Sequence, residues 1–144
     1  MTKDQITATI AEHTKWLRCK GGKRAVLRGS DLSGANLSYS DLSGANLSGS
    51  NLRGSDLSDS NLRGAKINDK TALGIIRRAT RADGYEFFLW QCEGGFFIKA
   101  GCRFMDMETA RQHWTNTRAG TPLGAESQDI LDFFAAAIAK ATGD

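Results

Sequence analysis

Residues able to do covalent or metal chemistry are scarce in this chain. It has three cysteines, Cys19, Cys92 and Cys102, and two histidines, His13 and His113. Nucleophilic catalysis needs a base beside the nucleophile and a third group that orients the base. Cys102 and His113 could meet if a hairpin packs on the helix that follows it. Because Cys102 falls on an apolar face, where a thiol stays protonated, we interpret this pair as core and predict no catalytic residues.

Metal and cofactor sites are not indicated by the spacing of these residues. No C-x-x-C or H-x-x-x-H motif occurs in the sequence, although structural and catalytic metal sites favour such spacings. The glycines of the middle segment recur at fixed intervals, and no G-x-x-x-x-G-K motif accompanies them. The sequence therefore predicts a chain that is not an enzyme and binds no metal or cofactor.

Length and charge leave room for one compact domain, or for two small ones that share a core. The chain has 144 residues and a formal charge of +3. The basic excess lies in residues 1–24, which hold six Lys and Arg against two acids. Such a patch can contact phosphate, but a solvated helix end looks the same. Nucleic-acid binding through Lys20, Lys23 and Arg24 stays open as a third possibility, and we do not expect it.

The sequence shows no signal for a membrane or for export. It lacks an apolar run of the length that spans a bilayer, and its first residues include Lys3, Asp4 and Glu12, which rule out a signal-peptide core. An odd number of cysteines without an export signal favours a reducing compartment. We therefore expect a cytoplasmic protein, in the host cytoplasm if the chain is phage-encoded.

The most informative pattern is an apolar residue at every fifth position. These centres are Leu27, Leu32, Leu37, Leu42, Leu47, Leu52, Leu57, Leu62 and Ile67. In an α-helix, five residues advance about 500°, so the centres would spiral around the axis. In a straight strand, successive centres would alternate between the two faces. Only a chain that turns once per repeat can bury all of them.

The neighbouring positions of each repeat agree with this interpretation. Two residues before each centre stands Ala or Ser, which suits a crowded interior. The residue just before most centres is Asp or Asn, whose side chain bonds nearby backbone and favours turns. Two residues after six of the centres stands Gly, at positions 29, 34, 44, 49, 54 and 64, which suits tight corners.

This pattern resembles the pentapeptide-repeat proteins over nine consecutive units, residues 25–69. The resemblance implies a right-handed quadrilateral β-helix with one repeat per side and about 20 residues per coil, hence about two coils. The centres would then stack in four columns. We predict a mainly β fold with α caps, in which all nine centres form the β-helix core.

A short stack exposes two ends, and solenoids need caps. Thr2 and Gln5 predict a capping box for a helix over about residues 3–18, with His13 buried in its apolar stripe. We therefore divide the chain into an N-terminal capping helix with a basic lead-in (1–24), the β-helix (25–69) and a C-terminal α+β domain (70–144). The lead-in "EHTKWLRCKGGKRAVLRGSDL" is similar to that of phage and bacterial pentapeptide-repeat proteins. The end of the chain, "RADGYEFFLW…AGCRF…ARQHW", is similar to the tail region of phage-borne members, and this second similarity suggests a mobile-element origin.

The C-terminal segment is predicted to hold a β-hairpin and two helices. "DGYEFFLWQCEGGFFIKAGCRF" gives two strands around a two-residue turn, and the helices run from Asp106 to about Arg118 and from about Ala125 to Ala141. Both hairpin faces are apolar, so one of them needs a partner inside or outside the chain. The candidate interface consists of Phe88, Trp90, Phe97, Ile130, Phe133, Phe134 and Ile138.

These patterns favour a non-catalytic protein-binding scaffold. The resemblance implies a homodimer through the C-terminal region. The apolar hairpin face and the apolar stripe of the last helix favour a phage-encoded inhibitor of a host protein or immune complex, such as an anti-CRISPR protein. One alternative is a DNA mimic that modulates a topoisomerase such as gyrase, a role known in the family. The outward columns of this chain mix Arg with Asp, however, which copies duplex charge poorly. The other alternative is an enzyme that uses Cys102 and His113.

Overall fold

The computed structural model describes residues 1–100 and 103–143. The elements are α1 (Lys3–Leu17), β1 (Lys66–Ile67), β2 (Lys70–Thr80), β3 (Glu86–Cys92), β4 (Gly95–Ala100), β5 (Arg103–Met105), α2 (Met107–Arg118) and α3 (Pro122–Thr142). Between α1 and β1 the chain winds through short bridges and turns instead of long strands.

Residues 26–66 form a coil that repeats every 20 residues. Parallel β-bridges join each turn of the coil to the next: Val26↔Asn46, Asp31↔Asn51, Asn36↔Asp56, Asp41↔Asn61 and Asn46↔Lys66. One bridge occurs every five residues, so each coil has four sides. This arrangement is a short four-sided β-helix, with the centres stacked one above another.

The local reason for the coil is the chemistry of each repeat. The side chain of Asp31 accepts hydrogen bonds from the backbone N–H of Ser33 at 3.0 Å and from its hydroxyl at 2.6 Å, and Asp or Asn makes the same turn in most later repeats. All nine centres are buried. At the corners the glycines take positive φ, such as +70° at Gly34 and at Gly54, whose backbones lie directly above each other.

Helix α1 closes the first coil. Thr2 and Gln5 form the predicted capping box, and Ile6 and Ile10 pack on the leucine core. His13 is fully buried. Its Nδ1 accepts from the Ala25 N–H and its Nε2 donates to the Ser43 carbonyl, both at 2.9 Å. The neutral imidazole therefore ties the helix to two points of the first coil.

The other end of the coil is closed by a sheet that is larger than the predicted hairpin. Five antiparallel strands follow one another in the order β1-β2-β3-β4-β5. The predicted hairpin is β3 and β4, with Cys92 opposite Gly95 across a two-residue turn. The predicted two-stranded hairpin is therefore corrected to a five-stranded sheet, with β1 and β2 on one side of the hairpin and β5 on the other. The sequence does not show the alternation of apolar and polar residues expected of a strand in β2. Register shifts between Ala72 and Gly74 and between Ile75 and Arg77 interrupt it.

Each face of the sheet packs on a different partner within the chain. Phe88, Trp90 and Cys92 join the leucine core of the coils, whereas Phe87 and Leu89 join a second core with the two C-terminal helices. The molecule is thus layered as α1, coils, sheet and helices.

Helices α2 and α3 complete the outer layer. Helix α2 is capped by Asp106, as predicted. Helix α3 begins at Pro122, earlier than expected, because Thr121 caps it and Pro122 occupies its first position. None of the helices in the described parts of the chain combines the length and apolarity needed to cross a bilayer.

Candidate protein-binding surface

The structure places most of the predicted interface residues in the interior. Phe88 and Trp90 lie against the coils, and Ile130 and Phe134 lie under the helices, all of them buried. The interface prediction is corrected for these residues, because each hairpin face finds a partner within the chain. Three predicted residues keep some exposed surface: Phe97, Ile138 and Phe133.

Of the two residues named for the enzyme alternative, Cys102 lies outside the described residues. His113 is half-buried and packs edge-on against Trp114, with ring centroids 4.7 Å apart. Among the described residues, no group of three His, Cys, Asp or Glu could hold a metal ion.

One corner of the coil carries a side chain that the repeat does not call for. Tyr39 occupies the position where six other repeats have Gly, and it takes the left-handed conformation with φ of +59°. Its side chain is 78% exposed. A bulky residue in this conformation costs about 1–2 kcal/mol, and such outliers cluster at functional sites. Asp59, one coil below, is another corner residue without Gly, with φ of +54°.

Next to this corner, the last coil and the sheet do not close completely. Between them lies a cavity of about 490 Å³, which we call the coil–sheet cavity. It is lined by Leu57, Ser58, Asp59, Ser60, Leu62, Ile75, Arg78 and Phe88. The Tyr39 N–H donates to the carbonyl of Ser58, a lining residue, at 2.9 Å, so the Tyr39 backbone lies one coil above the cavity.

The lining of the cavity combines polar and charged side chains with apolar ones. Arg78 reaches from β2 to the Ser55 carbonyl at 3.3 Å and forms an ion pair with Glu86 at 3.7 Å. Hydrogen bonds from the Ser58 hydroxyl and N–H lower the pKa of the Asp56 carboxyl, and the charge of Arg78 lowers it further. The surface thus combines the exposed aromatic side chain of Tyr39, the coil–sheet cavity and fixed charges of both signs.

The comparison with protein families matches this coil. The family model described as pentapeptide repeats matches residues 30–69, in eight copies. Residues 30–69 of this chain are therefore pentapeptide repeats. The search of curated proteins and the search of solved structures each returned no match.

Against the pentapeptide pattern, two exposed residues of the coil stand out. Tyr39 replaces the corner Gly, and Val26, 62% exposed, replaces the Asp or Asn that makes the turn elsewhere. Both residues could have been singled out from the sequence, because each departs from an otherwise regular repeat. A search for apolar stripes missed it, since the informative residue breaks the pattern instead of following it.

Proposed function

We propose that this pentapeptide-repeat protein is a non-catalytic protein-binding scaffold whose docking site is Tyr39 together with the coil–sheet cavity. Pentapeptide-repeat proteins are often protein-binding scaffolds and are generally not enzymes. The observation that carries the proposal is the exposed tyrosine held in a left-handed conformation one coil above an open cavity of mixed polar and apolar lining.

A protein fits this surface better than a small molecule does. Tyrosine is enriched at the centres of protein interfaces, where its ring fills a pocket and its hydroxyl stays hydrogen-bonded. Small-molecule sites instead bury most of the ligand among a few convergent polar groups. The coil–sheet cavity is open, and its lining combines apolar side chains with Arg78 and Asp59. A partner loop with one apolar side chain and flanking charges would be complementary to it.

A rigid coil adds to the affinity of such a site. Backbone hydrogen bonds between successive coils hold the corner on two sides, from Tyr39 to Ser58 and from Leu37 to Asp56. Because the loop is already ordered before binding, little conformational entropy is lost when the partner docks.

For the biological setting, we propose the same class of partner as from the sequence, a host protein or immune complex. The chain would act in the cytoplasm as a phage-encoded inhibitor of a host protein or immune complex, such as an anti-CRISPR protein. The free thiols of Cys19 and Cys92 fit a reducing compartment. The three segments 1–24, 25–69 and 70–144 would serve as lid, display coil and cap, and the coil would have the right-handed sense usual in the family.

A homodimer is the second partner we propose, and it rests on Phe133. This residue is 48% exposed on α3 and stacks only partly on Phe134, with ring centroids 5.9 Å apart. A second copy could cover it, as the C-terminal resemblance implies.

The deciding experiment compares two consensus replacements. Tyr39→Gly restores the corner glycine, and Val26→Asn, the matched control, restores the turn residue on another side of the coil. We expect both variants to fold with stabilities within about 1 kcal/mol of the original, because relief of strain at Tyr39 is offset by the entropy of glycine in the unfolded chain.

Affinity capture from a bacterial lysate, followed by mass spectrometry, then separates the two variants. A partner retained by the original chain and by Val26→Asn should be lost with Tyr39→Gly. Equal retention by all three proteins would remove Tyr39 from the docking site.

A further inference from the structure

On the far side of the sheet lies a second cavity with an unusual lining. Its volume is about 350 Å³, and its walls come from the β2–β3 turn, β5 and α2. It is lined by Arg81, Tyr85, Arg103, His113, Trp114, Thr117 and Arg118. Three guanidinium groups and an imidazole therefore share one cavity, with no carboxylate among its lining residues. We call it the arginine cavity.

Arg81 is held rigidly in its wall. Its side chain is only 3% exposed, and its Nε and Nη2 donate to the Asp83 carboxylate at 2.8 and 2.7 Å. Nη1 donates to the Ser127 hydroxyl at 3.0 Å. A guanidinium has five N–H groups, so two of them have no acceptor among the described residues. A buried cation with spare donors is costly unless something accepts from them.

The other two arginines, unlike Arg81, have no acidic partner among the described residues. Within residues 1–100 and 103–143, neither Arg103 nor Arg118 forms a salt bridge or a side-chain hydrogen bond. Burial lowers the pKa of His113, and the charge of Arg103 lowers it further, which places that guanidinium near the imidazole. The nearby carboxylates are already used, since Asp83 binds Arg81 and Glu126 accepts from the Ala82 N–H at 2.6 Å.

The aromatic residues that line the cavity indicate what kind of group a bound anion would carry. The Arg81 guanidinium lies 4.8 Å from the centre of the Tyr85 ring, and Trp114 forms another wall. A volume of about 350 Å³ equals that of about ten water molecules, which exceeds what a bare phosphate fills. Guanidinium forks match phosphate oxygens in geometry and charge.

We infer that the arginine cavity is a binding site for a phosphate monoester carried on a ring-shaped group, with Arg81, Arg103 and Arg118 as the phosphate ligands. Two unpaired guanidiniums and the spare donors of Arg81 would balance the dianion. Tyr85 and Trp114 would contact the carrier. This site is separate from the coil–sheet cavity and does not depend on the protein partner proposed there.

The test uses the two histidines as reporters in NMR spectra of the full-length protein. His113 lines the cavity, whereas His13 lies on the buried face of α1 and serves as an internal control. O-phosphotyrosine, adenosine monophosphate and inorganic phosphate are titrated in turn, with acetate as a carboxylate reference. We expect saturable shifts of the His113 ring signals with a Kd of about 1 mM or tighter for at least one monoester, weaker binding of inorganic phosphate, and no change at His13.

Variants then locate the site. Arg103→Gln and Arg118→Gln each should weaken binding about ten-fold, and both residues are exposed enough that the fold is kept. Arg28→Gln, an exposed arginine on the first coil, should bind as the original does. The inference is overturned if no monoester shifts His113, if acetate binds as tightly as the monoesters, or if Arg28→Gln loses as much affinity as the other two variants.

Discussion

Replacing His13 with Ala should be among the most damaging changes in this molecule. The imidazole is fully buried, and both ring nitrogens are used, one by the Ala25 N–H and one by the Ser43 carbonyl. Alanine would leave the Ala25 donor without an acceptor beneath the lid, at about 2 kcal/mol. The half-buried Ser43 carbonyl would add about 1 kcal/mol, and the vacated ring volume about 1 kcal/mol more.

The expected loss is therefore about 4 kcal/mol, a large share of the 5–15 kcal/mol that ordinarily separates folded from unfolded chains. Urea denaturation followed by circular dichroism measures it as a lower midpoint with an unchanged slope. Amide exchange adds a local readout, because the Leu27 and Leu32 N–H groups bond the second coil just below the lid and should lose protection.

His113→Ala is the matched control, since His113 is half-buried and none of its side-chain atoms forms a hydrogen bond among the described residues. It should cost no more than about 1 kcal/mol. The lid would not be anchored as described if His13→Ala cost less than about 1 kcal/mol, or if the two variants were equally destabilised.

Three further outcomes follow from burial and charge. Burial raises the pKa of the Cys92 thiol to about 11, so iodoacetamide at mildly alkaline pH should label exposed Cys19 and leave Cys92 untouched until the chain unfolds, as peptide mass mapping would show. Phe133→Asp should reduce a mass of about twice 15.6 kDa in light scattering to 15.6 kDa with the fold intact, whereas buried Phe134→Asp should unfold the chain; an original chain that is already monomeric refutes the dimer. Stability should fall as pH drops below about 4, because a carboxyl with a lowered folded-state pKa stabilises only while ionised; denaturation midpoints that stay level through that range would contradict it. Hydrogen bonds lower the pKa of four carboxyls: Asp31, Asp56, Asp83 and Asp106.

The coil could be predicted from sequence because its constraint is local and repeated. Every fifth residue must be apolar, and the residue before it must close a turn, so Leu32 and Asp31 carry the same information as Leu52 and Asn51 one coil later. The lid could be predicted for a similar reason, since a capping box lies within four residues of sequence.

Which face of the sheet packs on the coils and which packs on the C-terminal helices could not be predicted in this way. Strand alternation shows that Phe87 and Phe88 lie on opposite faces, but it cannot say which face meets the coils. That choice depends on how β2 joins the coil, where the Gly64 N–H donates to the Ala72 carbonyl and the Ala72 N–H to the Ala65 carbonyl. These bonds fix the orientation of the whole sheet, and no pattern within β3 or β4 encodes them.

The same junction explains why the candidate docking site is where it is. A coil of four sides presents four apolar centres at its end, whereas a sheet laid across it follows the strand spacing and not the period of five. The fit is close at Ile67, which is fully buried next to β2, and looser at Leu57 and Leu62, which keep 8% and 4% of their surface exposed. The mismatch leaves the coil–sheet cavity at Leu57 and Leu62, one coil below the corner that holds Tyr39. If this is the origin of the cavity, Leu57→Phe should fill it with little loss of stability and should weaken partner binding as Tyr39→Gly does, while Leu37→Phe, in the closed coil above, should unfold the protein by overpacking.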